Sequence, residues 1–374
     1  MVEDQNGNKY EITEKIGTDG QGSIFATTEK NVIIRKSDRE SDLARFEHTK
    51  LMPLSEIDTL LLPQAYLAAP DIGYVIHIPE GYMPLSSVMD SDDTGPSGGL
   101  KWRLGVLAAV AKVLIKLHGI PVMYGSMSPE RIYVPTKIGE AALLYSAKMD
   151  YAMRFLEEYD WDPYVAPESM NGRGGTIKSD SYALGSLAYD LLAPEELGPN
   201  FRKLLDSTSL EPALRPSVSE LYKALLQYSD MFVTCKKCLT DFYYYAEECP
   251  ICAAPPPMMI QAAIYDQVAY NVYNRGVKII EYASYSQYFF SYHTDNAIIG
   301  GNIDTDPRIE CVIKATDDHN LHLTVKNLMD KEITVNNNLV ASGDSTEVDM
   351  PCELVRINFP LYSETKRFID MITV

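Results

Sequence analysis

Over the first eighty residues, apolar and polar positions alternate in short runs: KYEITEKI, SIFATTE, NVIIRK and later IGYVIHI, punctuated by GTDGQG and EKN. A period of two bounded by Gly, Asn and Asp predicts a small antiparallel sheet. Between Ser41 and Met52 the period changes. Leu43, Phe46 and Leu51 fall near helical spacing until Pro53 stops the run, which predicts a helix. After the polar, Gly-rich stretch 90–99, the segment WRLGVLAAVAKVLIKLHGI is apolar over a helical length and predicts a helix buried on most faces. SYALGSLAYDLL predicts a second buried helix. SVSELYKALLQY predicts an amphipathic one with a Ser N-cap. The order is strands first, helices after.

The pattern changes at Asp230, where cysteines bunch, and again at AAPPPMM, whose three prolines favour an extended linker. Beyond Ile260 alternation returns in HLTVKNL and EITVNNNLV, with turns at NNN and SGD, which predicts an all-β region. The expected organisation is α+β: 1–230, a cysteine ribbon at 231–254, a Pro-rich linker at 255–259 and a β-sandwich at 260–374. A length of 374 residues agrees with more than one core. No internal repeat of solenoid period is visible.

Charge narrows the function. Lys and Arg total 33 against 52 Asp and Glu, a net −19, so phosphate backbones and anionic lipid are repelled rather than gathered. No apolar run reaches bilayer length, and the acidic start MVEDQNGNKYEI lacks the marks of a secretory signal. The expectation is a cytoplasmic protein with reduced thiols whose partners are proteins, not nucleic acid or membrane.

Between Lys9 and Tyr228 the order of motifs resembles the protein-kinase fold. IGTDGQGSIF is similar to a kinase glycine-rich loop, with Gly17, Gly20 and Gly22 as candidate nucleotide-contacting positions and Asp19 in place of the middle glycine. A carboxylate there faces the phosphates with like charge, so ATP binding is doubtful. VIIRK resembles the third strand, with either Arg35 or Lys36 as its phosphate-gripping cation and Glu47 as the glutamate that would pair with it. YGSMSPERIYV stands where kinases carry H-R-D-L-x-x-x-N: the matching base is Ser126 and the metal-holding asparagine is Arg131. A hydroxyl cannot serve as a carboxylate base, and a guanidinium repels Mg²⁺. The D-F-G place holds Tyr145, Ser146 and Ala147. Scaffold positions are better kept. Ala166-Pro167-Glu168 matches A-P-E, Arg215 its buried ion-pair partner, and Asp180 the aspartate that braces the catalytic-loop backbone. GQGS, GYVIHIP and MSPERIYV are most similar to bacterial and phage kinase-like proteins of tellurite-resistance-type operons, in which a zinc ribbon is often appended.

CKKC, ten intervening residues and CPIC place Cys235, Cys238, Cys249 and Cys252 as two knuckles, the spacing of a closed tetrahedral Zn²⁺ site with a structural role. Two disulfides, a redox dithiol and an iron–sulfur cluster are the alternatives. The ribbon offers only Lys236 and Lys237 against Asp241, Glu247 and Glu248, so it has no basic footprint. The tyrosines of DFYYYAEE are read as internal packing. The last region faintly resembles a forkhead-associated domain, with an immunoglobulin-like sandwich as the plainer alternative. Gly301 stands where such domains carry the phosphate-reading arginine. His293, His319 and His322 are read as surface or turn residues.

The combined expectation is a pseudokinase acting as a scaffold or regulator in a bacterial or phage stress or conflict system, binding Zn²⁺ but not catalysing phosphotransfer. Its rivals are an atypical kinase that recruits Asp19 or Asp150 to hold metal, and a structural subunit of a larger assembly.

Overall fold

The computed structural model describes residues 1–19, 22–57, 59–89, 99–125, 127–135, 142–144, 148–151, 162–170, 174–192, 198–282, 285–294, 306–315, 321–350, 354–359 and 365–374. It is a mixed α+β protein of several sheets. The chain divides into two compact units, 1–225 and 226–374; neither sequence-pattern change, at Asp230 or at Ile260, is the division between them. No helix among the described residues is long and apolar enough to cross a membrane.

The first unit opens on a five-stranded antiparallel sheet. Its strands are β1 (Ile12–Asp19), β2 (Gly22–Thr27), β3 (Val32–Ser37), β4 (Ala65–Tyr66) and β5 (Ile72–His77), in the order β1-β2-β3-β5-β4. Alternation splits β3 between two faces. Val32 and Ile34 join Val2, Leu67 and Val75 in one apolar cluster. Ile33 and Arg35 point the other way, Arg35 directly across from Ile24 and Tyr74. Helix α1 (Ser41–Thr49) docks on this second face, Phe46 meeting Tyr74 edge-on at 5.5 Å between ring centres. Its inward side is not the expected one. Leu43 and Leu51 are exposed, while Asp42, Arg45 and His48 are buried beside Phe46, because polar partners satisfy them: the Ser37 hydroxyl donates to Asp42 at 2.5 Å.

Helix α2 (Leu100–Gly119) buries eleven side chains, as its almost continuous apolar run requires, and helix α3 (Ile177–Leu191) packs against it. Thr176 and Ser179 close α3 with a reciprocal capping box. Helix α4 (Val218–Ser229) has the predicted serine cap, the Glu220 amide donating to the Ser217 hydroxyl at 3.2 Å.

Most of the second unit is two antiparallel sheets with one shared core. Its strands are β6 (Met259–Val268), β7 (Asn271–Glu281), β8 (Tyr285–Phe290), β9 (Ile309–Ala315), β10 (Leu321–Asn327), β11 (Ile333–Val335), β12 (Asn338–Val340), β13 (Ser345–Asp349), β14 (Val355–Asn358) and β15 (Thr365–Thr373). One sheet runs β7-β6-β15-β14-β11-β12, the other β8-β9-β10-β13. Ile260, Ile280 and Ile369 from the first interlock with Phe290, Cys311 and Leu323 from the second. Burial pushes the Cys311 thiol up to about 12, so this cysteine stays a protonated packing group.

One histidine expectation is overturned. His293 is not on the surface: it is 4% exposed and lies 2.8 Å from the Asp230 carboxylate. Asp230 also receives the Lys278 ammonium at 2.6 Å. The sequence conceals this because the partners are 48 and 63 residues from Asp230. His322, by contrast, pairs with Asp349 at the surface, and His319 lies outside the described residues. Burial is the largest influence on Asp230 and acts to raise it, but Lys278 and His293 outweigh it and hold the carboxyl well below its usual range. Burial lowers His293, against the pull of Asp230. An uncharged imidazole thus donates to a carboxylate that also accepts from the Lys278 ammonium. Both groups favour their deprotonated forms in the fold, so stability is complete above the ordinary imidazole value of 6.5. It falls as pH drops through that value and again below the ordinary carboxyl value of 3.8. The expected result is lower amide protection factors in the second unit at pH 5.5 than at pH 7.5, each rate being referred to the intrinsic exchange rate at its own pH, with the His293→Asn variant losing the part of that response between pH 6.5 and 5. An identical profile in the variant counts against this assignment.

Candidate functional site

The cysteine quartet is built from two equivalent turns that frame a short hairpin, Phe232–Thr234 paired with Asp241–Tyr243. In the first turn the Leu239 amide donates to the Cys235 carbonyl at 3.0 Å and the Cys235 amide to the Thr240 carbonyl at 2.9 Å. The second repeats this with Ala253 to Cys249 at 2.9 Å and Cys249 to Ala254 at 2.8 Å. Both turns are closed by a residue in the left-handed region, Leu239 at φ 60° and Ala253 at φ 52°. These are places where glycine relieves the contact between Cβ and the next carbonyl. The strain at Leu239 makes a checkable point. Leu239→Asn, which tolerates this conformation without glycine's entropy, is expected to stabilise the turn by about 1 kcal/mol, and Leu239→Val to weaken it, both read as shifts in thermal unfolding.

The turns bring all four sulfurs within 4.8 Å of one another. Cys235 lies 3.5 Å from Cys252, and Cys238 3.5 Å from Cys249. A disulfide needs about 2.05 Å, and these cysteines are free. A tetrahedron with spokes of about 2.3 Å has edges of about 3.8 Å, so the four sulfurs fit one metal ion at their centre. Backbone amides prepare them for negative charge: Cys238 and Lys237 donate toward the Cys235 sulfur. The Thr240 hydroxyl and amide draw Cys238 down to about 6. The Ala254 amide acts on Cys252 in the same sense, but burial and the neighbouring sulfurs push that thiol up to about 12. A group of four thiols thus holds protons that a cation would displace.

Cys235 and Cys249 are buried in an apolar cluster with Val233, Phe242, Met259 and Ile279. Met259 and Ile279 belong to β6 and β7, so the cysteine turns share a core with the sandwich. Thr234 and Lys236 reinforce this by donating to the Glu281 carboxylate at 2.9 Å each. Of the three adjacent tyrosines, Tyr244 packs against the cluster, while Tyr243 and Tyr245 stack on each other at 5.2 Å and Tyr245 is exposed. Internal packing thus accounts for only part of the aromatic run.

In the first unit, the positions singled out by the kinase resemblance separate into two groups. Gly17 opposes Ile24 and Asp19 opposes Gly22 across the β1–β2 hairpin. A Cβ on Gly22, at φ +153°, would meet the Lys36 carbonyl oxygen at 2.0 Å, so sheet packing by itself requires glycine there. Gly20, Ser126, Tyr145, Ser146 and Ala147, and the side chain of Asp19, lie outside the described residues. Arg35 is 3% exposed, its guanidinium 5.7 Å from the Tyr74 ring centre. Lys36 points to the opposite face and pairs with Asp71 at 2.6 Å. The expected partnership of Glu47 with either cation does not form. Glu47 is on the exposed side of α1 and pairs with Lys50 at 2.6 Å. The next residue, His48, faces inward and meets Asp150 at 3.2 Å. One position along a helix is a rotation of about 100°, enough to exchange the solvent side for the buried one. Asp150, the rival candidate for holding metal, is thus a buried partner of a histidine.

The bracing residues converge. Asp180 accepts the Tyr124 amide at 2.7 Å and the Gly125 amide at 2.9 Å, and pairs with His118 at 2.9 Å. Gly125 supplies a backbone at φ +72° that passes close to the Lys148 carbonyl. Glu168 receives both terminal nitrogens of Arg215, at 2.6 and 2.8 Å, and the Ser179 hydroxyl at 2.7 Å. His118 was not among the sequence candidates. Its signal was a histidine in the last turn of a largely apolar helix, beside Lys116. Arg131, at the position of a metal-holding asparagine in the resemblance, is completely buried. Burial raises Asp162, opposed by the Tyr164 amide and by the positive charges of Lys148 and Arg131.

No protein-family model matches the chain, and no curated protein matches it either.

Proposed function

We propose that the chain is a pseudokinase: a two-lobed kinase-like first unit that does not transfer phosphate, followed by a second unit locked by a structural Zn²⁺, the whole acting through protein contacts. The observation that carries this reading is a contrast within the first unit. The two braces expected of such a scaffold are complete, Asp180 on the amides of Tyr124 and Gly125 and Glu168 on Arg215. Yet the place where the fold would need a neutral metal ligand is occupied by the wholly buried cation Arg131. A guanidinium there opposes the divalent ion that neutralises the transferring phosphoryl group. The substitutions at Ser126 and Tyr145 remove the carboxylates that would do the remaining work.

The donor set supports zinc for the metal. Four thiolates leave no open coordination position, which favours a structural over a catalytic ion. Cys235, Cys238, Cys249 and Cys252 would hold it, and it would supply a crosslink between the two turns. The cytoplasmic setting proposed from the free cysteines accords with such a site.

Two measurements test the reading. Purified full-length protein incubated with radiolabelled ATP, Mg²⁺ or Mn²⁺ and generic acceptor proteins is expected to show no transfer above background, and nucleotide with metal to leave thermal unfolding unshifted. Turnover that disappears on changing Arg35 or Lys36 overturns the pseudokinase reading. Elemental analysis is expected to give one zinc per chain. Iron or no metal overturns the zinc assignment without touching the first.

A further inference from the structure

The outer edge of the six-stranded sheet is covered along only part of its length. On β7 the Ile279 amide donates to the Asp230 carbonyl at 2.8 Å and Gln227 reaches the Arg275 carbonyl at 3.4 Å. The Gly276 amide is taken by the Asn274 side chain at 2.8 Å. From Arg275 onward the edge is therefore occupied. Before it, residues 270–274 read YNVYN and every one is exposed, Tyr270 at 99% and Val272 at 53%. Asn271–Asn274 follow directly from the Ala269–Tyr270 hairpin tip and, among the described residues, pair with β6 alone.

Sheet edges are ordinarily blunted by lysine, proline or an inward charge. Residues 270–274 carry none of these; Arg275, which follows directly, is paired with Asp266 at 2.8 Å. The run 268–274, VAYNVYN, has no Lys, Arg, His, Asp or Glu in a chain of net charge −19. Long-range repulsion opposes contact between two copies over most of such a surface, and a strand without charged side chains is where it is weakest.

We propose that residues 270–274 form a self-association edge, on which a second copy of this chain pairs antiparallel about Val272 and the two six-stranded sheets become one. The register follows from the geometry. Pairing about Val272 sets Val272 opposite its copy, Asn271 opposite Tyr273 and Tyr270 opposite Asn274, so aromatic and amide side chains meet and no like charges face each other. The hairpin tip ends the incoming strand at residue 270, where its partner's edge becomes covered. A register displaced toward the C-terminus of β7 would drive the tip into the segment carrying Gln227 and Asp230. The twofold arrangement is closed and self-complementary, so it stops at a dimer. Five residue pairs make a small interface of the weak, reversible kind.

Sedimentation of the full chain over a concentration series tests this. The mass is expected to rise from one chain toward two, and Val272→Lys, which sets two ammonium groups against each other, to hold it at one. Leu339→Lys, at an exposed position on the opposite edge strand β12, is expected to leave the dimer unchanged. A wild-type chain that stays monomeric throughout overturns the proposal and leaves the edge to an extended segment of another protein. Equal dimerisation of Val272→Lys overturns it in favour of a different surface. Should that variant fold poorly, Val272→Cys treated with a short bis-maleimide is expected to give a covalent dimer and Leu339→Cys to give none. No crosslink at residue 272 refutes the pairing independently.

Discussion

Cys249→Ser is expected to empty the cysteine site and loosen much of the second unit with it. The serine hydroxyl does not replace a thiolate toward a soft metal, and ion binding in a closed four-cysteine site contributes on the order of 10 kcal/mol to the fold that contains it. The loss should spread beyond the turns. Cys249 and Cys235 pack in the same cluster as Met259 and Ile279, so hydrogen exchange is expected to accelerate first at Leu239 and Ala253 and then along β6 and β7. Chelation of the wild-type protein should reproduce the pattern, and added Zn²⁺ should reverse it there but not in the variant. If the strands keep their protection after the metal is gone, the cysteine turns are an attachment rather than part of the core.

The second large effect is expected in the first unit. Arg215→Leu leaves the Glu168 carboxylate with the Ser179 hydroxyl as its described side-chain partner. Removing one member of a buried ion pair costs about 3–5 kcal/mol, because the remaining charge has left water and lost its counterion. Replacing both, Glu168→Leu with Arg215→Leu, is expected to recover part of that loss, since no charge is then buried alone. Both tryptophans, Trp102 and Trp161, lie in residues 1–225. Urea unfolding followed by tryptophan fluorescence thus reports this unit without interference from the other. A single variant as stable as wild type, or a double variant worse than either single one, contradicts the pairing energetics.

How much was legible in the sequence differed sharply between residues. The cysteine quartet could be found from spacing alone, since two C-x-x-C turns carry their geometry within a few residues. The strands β1, β2, β3 and β5 and the long helix α2 were legible for a similar reason: period and apolar content are local properties. The first helix was legible as a helix but not in its orientation. Leu43 and Leu51 suggested one face, and the fold buries Asp42, Arg45 and His48 instead. Which side of that helix is inside depends on Tyr74 and Asp150, residues far along the chain. The same step of one residue displaced the expected Glu47 pairing.

The sequence alone determined the chemistry the chain can offer: four thiols at metal-binding spacing, a strong negative net charge, and a hydroxyl at Ser126, a guanidinium at Arg131 and a phenol at Tyr145. These are facts of composition and order, and no folding changes them. Tertiary structure decided which of those groups meet. It buried His293 against Asp230 and Lys278, joined the cysteine turns to the sandwich through Met259 and Ile279, and left 270–274 uncovered at a sheet edge. Each outcome depends on contacts between positions tens of residues apart, whose free energy is set by desolvation and packing at the point of meeting rather than by the residues beside them in the chain.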